Sequence, residues 1–174
     1  KKDDVVVLEL SSFQLHSMAC KSDVALITNI SPNHLDKHKD YQDYIDSKMA
    51  IFRMQGENDR LVLNLEDEQS EYFKKHAKAK ISYFSHLNSV ENGCILENGC
   101  IYRINENGKK FIMRADEIKL PGEHNVENYM AAIAVVEGLV GDDVIRHVAK
   151  TFGGVAHRIE LVRVKDGVRY YNDS

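Results

Sequence analysis

The chain has 174 residues, enough for one domain with a sizeable core, and its 43% hydrophobic content is ordinary for a globular protein. Its 27 acidic and 23 basic residues leave a net charge of -4 and are scattered, which argues against a nucleic-acid partner, since no basic stripe is available to track phosphates. No apolar run nears the roughly 20 residues that span a bilayer, and the opening KKDDVVVLEL lacks the length and cleavage site of a signal peptide, so a cytosolic protein is expected.

In chain order, Asp4 to Leu10 is a valine-rich apolar run that predicts a strand buried on both faces of a parallel sheet, and Val24 to Ile30 predicts another. Ser11 to Cys20 between them suits a short helix. A longer helix is expected over Tyr41 to Met54, a strand over Arg60 to Leu65, a helix over Asp67 to Lys78 and a strand over Ile81 to Phe84. That alternation implies an α/β fold, a mostly parallel sheet flanked by helices. From Gly93 to Met113 short alternating runs are punctuated by Asn92-Gly93, Asn98-Gly99 and Asn107-Gly108, pairs that tolerate the positive φ of tight hairpin turns. A small antiparallel β meander is predicted there. Glu123 to Leu139 and Asp142 to Phe152 then read as helices, the second with Asp142 as a plausible N-cap, and two strand-like runs flank Asp166-Gly167. The cysteines, Cys20, Cys94 and Cys100, are odd in number and include no CxxC pair, so reduced structural thiols are expected.

Several polar residues stand out against this pattern. Glu9 interrupts an apolar run near its carboxyl end, and His34 lies in the loop SPNHLDKH after the next predicted strand. Ligands of open parallel sheets bind at that edge, although a strand-end carboxylate in water is an equally ordinary reading of Glu9. His34, Asp36 and His38 suit either a divalent metal or a solvated loop. Lys48 has Tyr44, Ile45, Ile51 and Phe52 at helical offsets, which places it on an apolar face. It must then snorkel outward or be neutralised, by a carboxylate or by a covalent change that makes it an anion.

GEHNVEN sets Asn125 and Asn128 at a helix start, suited to a purine edge or phosphate, or to capping the helix. GGVAHRIE places His157 and Arg158 after two glycines, where the guanidinium suits phosphate oxygens or an ion pair with Glu160. Asp173 suits a ribose hydroxyl or a turn.

The order of these pieces, ELSSFQL, NISPNHLDKH, the Lys48 helix, GEHNVEN, HRIE and YYNDS, resembles the Mur ligase family over essentially the whole chain. ELSSFQL points within it to the D-glutamate-adding type, because sister Mur ligases and folylpolyglutamate synthases carry other residues after the acidic position. The resemblance implies that Glu9 helps hold the magnesium bridging ATP phosphates, that His34 binds a second magnesium, and that Lys48 carries a carbamate that serves as an oxygen ligand. It implies substrate contacts from Ser11 and Gln14, base contacts from Asn125 and Asn128, a γ-phosphate contact from Arg158 and a ribose contact from Asp173.

The implied reaction is ATP-dependent amide-bond formation in peptidoglycan precursor synthesis. The carboxylate of UDP-N-acetylmuramoyl-L-alanine attacks the γ-phosphate, and D-glutamate displaces phosphate from the acyl phosphate. Residues 1–156 are expected to be the central ATP-binding domain and 157–174 a linker with the first strands of the next domain. The family's GxxxxGK[ST] loop does not occur in these residues, so the isolated chain is expected to be inactive. Two alternatives remain at this level, a non-catalytic nucleotide- or metal-binding module and a ligase of the superfamily with another amino acid substrate.

Overall fold

The computed structural model describes residues 4–18, 20–31, 38–155, 157–158 and 160–172. Helices and strands alternate through the first half: α1 (Ser12–Ser17), β1 (Val24–Ile27), α2 (Tyr41–Met49), β2 (Arg60–Asn64), α3 (Ser70–His76) and β3 (Lys80–Ser85). Then come β4 (Gly93–Glu97), β5 (Cys100–Asn105), β6 (Gly108–Arg114), α4 (Glu123–Val135), α5 (Asp142–Thr151) and a hairpin of β7 (Glu160–Lys165) and β8 (Val168–Asn172). Strands β1 to β6 form one sheet in sequence order, parallel from β1 through β4 and antiparallel from β4 to β6, while β7 and β8 form a sheet of their own.

The side-chain alternation of β2 explains the layers. Leu61 and Leu63 face one way, where they join Ala25, Ile27, Tyr44, Ile45, Met49, Phe52 and Phe73 beneath α2 and α3. Val62 faces the other way and joins Phe84 and Cys94 against Met130, Ala131, Ile133 and Ala134 of α4 and Ile145 and Ala149 of α5. All three β2 residues are completely buried, and each such side chain stabilises the fold by about 2 kcal/mol. A run buried on both faces therefore marks the middle of a three-layer α/β/α arrangement.

Three expectations are corrected. Asp4 to Leu10 is not a strand: Val5 to Leu8 are exposed, Val7 at 90%. Hydrophobicity suits a segment to a buried strand, but only a neighbouring edge in register makes it one, and no described strand pairs with it. The meander forms as expected, antiparallel from β4 to β6, and is continuous with the main sheet because β4 pairs in parallel with β3; what is corrected there is a turn. Asn98-Gly99 makes the two-residue hairpin turn expected, with φ of 50° and 71°, whereas Asn92-Gly93 leads into the parallel pairing instead. Strand β4 begins opposite Tyr83, two residues before β3 ends, so the chain needs to return only about 7 Å and requires no crossover helix.

Finally, Asp142 is not an N-cap. Gly141 occupies that position, and the Asp142 carboxylate is taken by Arg103 at 2.7 Å and Lys110 at 2.6 Å. Two cations on the neighbouring hairpin outweigh the local amides.

Candidate functional site

Because β1, β2 and β3 are parallel, the loops that follow them emerge at one edge of the sheet. The loops after β1 and β2 are joined there, where the backbone N–H of Ile30 donates to the Asp67 carboxylate. Glu9, just before α1, is exposed and makes no hydrogen bond or ion pair among the described residues. Ser11 and Gln14 are brought together as a reciprocal helix cap: the Gln14 N–H donates to Ser11 Oγ at 3.3 Å, and the Ser11 N–H donates to Gln14 Oε1 at 2.9 Å. This cap is the reason a six-residue helix starts at Ser12.

Lys48 sits in the last turn of α2, half-buried between the covered residues Ser47 and Met49. Its expected apolar neighbours are present, with Tyr44, Ile45 and Phe52 buried, although Ile51 and Phe52 fall in the turns beyond the helix. The Lys48 Nζ lies 5.7 Å from the centre of the Tyr44 ring and has no carboxylate partner among the described residues. Burial pushes its ammonium below the ordinary lysine range.

Asn125 lies in the first turn of α4, but the cap position belongs to Gly122 at φ 106°, and Asn125 Nδ2 donates to the Pro121 carbonyl at 2.7 Å. Asn128 is exposed one turn along. Arg158 is exposed and does not pair with Glu160, which accepts instead from the His157 backbone N–H at 2.9 Å. His34, Asp36 and Asp173 lie outside the described residues. Among the described residues no group of three His, Cys, Asp or Glu side chains is arranged to hold a metal ion.

Two features were not separable in the sequence. His38 is no loop decoration: its side chain is 1% exposed, with both ring nitrogens engaged. Both nitrogens are therefore held by protein partners on two different helices. Beside the start of α4, His86 Nδ1 lies 3.2 Å from Glu127 and 3.6 Å from Glu66, and Glu66 also accepts from the Ser85 hydroxyl at 2.5 Å. Glu66 and His86 each follow a parallel strand, and that position was the signal that would have found them.

Residues 1–136 match the family model described as the Mur ligase middle domain. The chain is 50% identical over 171 residues to the UDP-N-acetylmuramoylalanine--D-glutamate ligase of Ruminiclostridium cellulolyticum, covering 98% of this chain and 37% of that protein. It is 49% identical to the ligase of the same name from Acetivibrio thermocellus, covering 100% of this chain and again 37% of that protein. The chain thus spans little more than a third of the length of these relatives.

Among solved structures, MurF from Acinetobacter baumannii superimposes with a TM-score of 0.69 at 19% identity, covering 94% of this chain and 36% of that one. The UDP-N-acetylmuramate-alanine ligase MurC from Thermotoga maritima superimposes with a TM-score of 0.66 at 20% identity, again over 94% of this chain and 36% of that one. These two likenesses concern the fold. With a middle-domain match over most of its length and a parallel sheet between two helical layers, the chain belongs to the Mur ligase family.

Proposed function

We propose that this chain is the central portion of an ATP-dependent, ADP-forming ligase that adds D-glutamate to UDP-N-acetylmuramoyl-L-alanine. The observation that carries the reading is Lys48, a half-buried amine with no carboxylate partner among the described residues. An ammonium there has lost water without gaining an anion among the described residues, which favours the neutral amine that reacts with carbon dioxide. Loss of one proton from the ammonium, then addition of the amine nitrogen to the carbon of CO₂ with release of a second proton, gives a carbamate anion and reverses the charge of the site. The names of the relatives at 50% and 49% identity support the D-glutamate assignment.

On this reading Glu9, His34 and carbamylated Lys48 hold magnesium. Magnesium, when bound, neutralises charge on the transferring phosphoryl group. Ser11 and Gln14 face the muramoyl substrate, Asn125 and Asn128 the base, Arg158 the γ-phosphate and Asp173 the ribose. The Ser11 and Gln14 backbone N–H groups are already used by the cap, so substrate would meet a preformed turn there. The β7–β8 hairpin, exposed along nearly its whole length and in a sheet of its own, supports assigning residues 157–174 to the linker and the next domain, and residues 1–156 to the central domain in the cytoplasm.

Two measurements test the reading. Carbon-13 NMR in labelled bicarbonate should show a carbamate signal that Lys48→Arg abolishes, since a guanidinium stays charged. ADP release by the full-length ligase should require UDP-N-acetylmuramoyl-L-alanine and D-glutamate together. Equal turnover with a different amino acid would assign the chain to another member of the family, and no turnover with any would leave a binding module.

A further inference from the structure

The side chain of His38 joins α1 to α2 at a point next to both halves of the candidate site. Its Nε2 lies 3.0 Å from Ser12 Oγ on α1, and its Nδ1 lies 3.3 Å from Asp43 Oδ2 on α2. Phe13 stacks on the imidazole with ring centres 5.3 Å apart, and Tyr44 meets it edge-on at the same distance. Tyr44 is in turn the ring under Lys48 Nζ. A continuous series of contacts therefore runs from Ser12, three residues past Glu9, through His38 and Tyr44 to Lys48.

The hydrogen-bond directions follow from chemistry. The Asp43 carboxylate also accepts from the Lys39 backbone N–H at 3.2 Å, and an ionised carboxylate can only accept, so Nδ1 carries the hydrogen on its side. The Ser12 hydroxyl both donates and accepts, and so completes the bond to Nε2. His16 Nε2 lies 3.4 Å from the other carboxylate oxygen, which makes Asp43 the shared anchor of two histidines.

A serine, histidine and aspartate in series also describes a nucleophilic triad, but that use is closed here. Ser12 is 3% exposed and lies in the first turn of α1, and the His38 side chain is 1% exposed, so no substrate reaches the hydroxyl. A phenylalanine or leucine would fill the same space without the cost of burying polar atoms. What the imidazole adds is two directional bonds that admit one arrangement of the helices.

We propose that His38 is a positioning residue, holding α1 and the segment bearing Glu9 and Ser11 at a set distance from the α2 segment bearing Lys48. The catalytic consequence rests on the ligase reading above; the coupling between the helices does not.

The test uses the full-length ligase labelled with carbon-13 lysine. Ser12→Ala, which does not touch Lys48, should shift the Lys48 side-chain resonance, and in a His38→Leu background it should shift nothing. Turnover by His38→Leu should fall by between roughly 10- and 100-fold, as expected for a small misplacement of reacting groups. KM for ATP should stay near wild type while the magnesium concentration for half-maximal rate rises, and His38→Gln should recover part of the loss. A Lys48 resonance unmoved by Ser12→Ala overturns the proposal whether or not the protein is a ligase. So does a folded His38→Leu enzyme with wild-type turnover and magnesium dependence. Failure of the ligase reading shows separately, as a wild-type protein that releases no ADP.

Discussion

A Cβ placed on Gly93 would lie 1.7 Å from the carbonyl oxygen of Tyr83 on the neighbouring strand. Gly93 has a φ of 132°, and the adjacent Asn92 carbonyl accepts from the Tyr83 N–H at 2.9 Å. The absent side chain is what lets β4 lie parallel to β3 after so short a connection. Gly93→Ala is expected to lower stability by about 3 kcal/mol or more, since the clash is with backbone and the conformation is itself strained. Urea unfolding checks this, and a loss below about 1 kcal/mol would mean that β4 can shift without cost.

Asp142 binds Arg103 and Lys110 and so ties α5 to the β5–β6 hairpin. Burial raises its pKa, but the hydrogen bonds and charges of Lys110 and Arg103 together outweigh that and hold the carboxyl below 3.8. A lowered carboxyl pKa stabilises the fold above the unfolded value, and the contribution is lost as pH falls through the folded value. Asp142→Asn, which leaves the buried Arg103 without its counter-charge, should cost about 3 kcal/mol at neutral pH. The gap between wild type and variant should stay level down to the region of 3.8 and close below it. Denaturant unfolding across that range measures both.

Ser11 has a structural duty separable from its proposed substrate contact. Ser11→Ala should weaken the start of α1 by about 1 kcal/mol, seen as faster amide hydrogen exchange at Gln14 and Leu15. Ser11→Asp keeps a capping oxygen and should restore that protection. If Ser11→Asp is protected like wild type yet binds the UDP substrate at least several-fold more weakly, the hydroxyl has a second role beyond the cap. Equal binding would confine Ser11 to the cap.

Cys94 is completely buried between β3 and β5, and burial pushes its thiol up to about 12. Cys20 and Cys100 are partly exposed. A thiol-reactive dye at mildly alkaline pH should therefore label two cysteines in the native protein and the third only on unfolding. Three native labels would indicate that β4 opens readily.

Much of this protein was legible in its residues. The apolar run between Arg60 and Leu65 announced a strand, and Asn98-Gly99 announced its hairpin, because hydrophobic pattern and positive φ are local properties written residue by residue. Lys48 was conspicuous for the same reason, a charge placed at helical spacing among Tyr44, Ile45 and Phe52. Pairing, by contrast, belongs to two segments at once. Val5 to Leu8 has the composition of a strand without, among the described residues, the hydrogen-bonded neighbours of one, and Asn92-Gly93 has the composition of a hairpin turn yet opens a parallel pair. His38 could be read only as a metal ligand or a solvated loop histidine until folding set Ser12 against one ring nitrogen and Asp43 against the other, 26 and 5 residues away along the chain. Outside Asp4 to Leu10, local sequence determined which elements form and which faces they bury. The tertiary structure alone decided which edges pair and which polar groups meet, because those depend on distances that no single stretch of chain encodes.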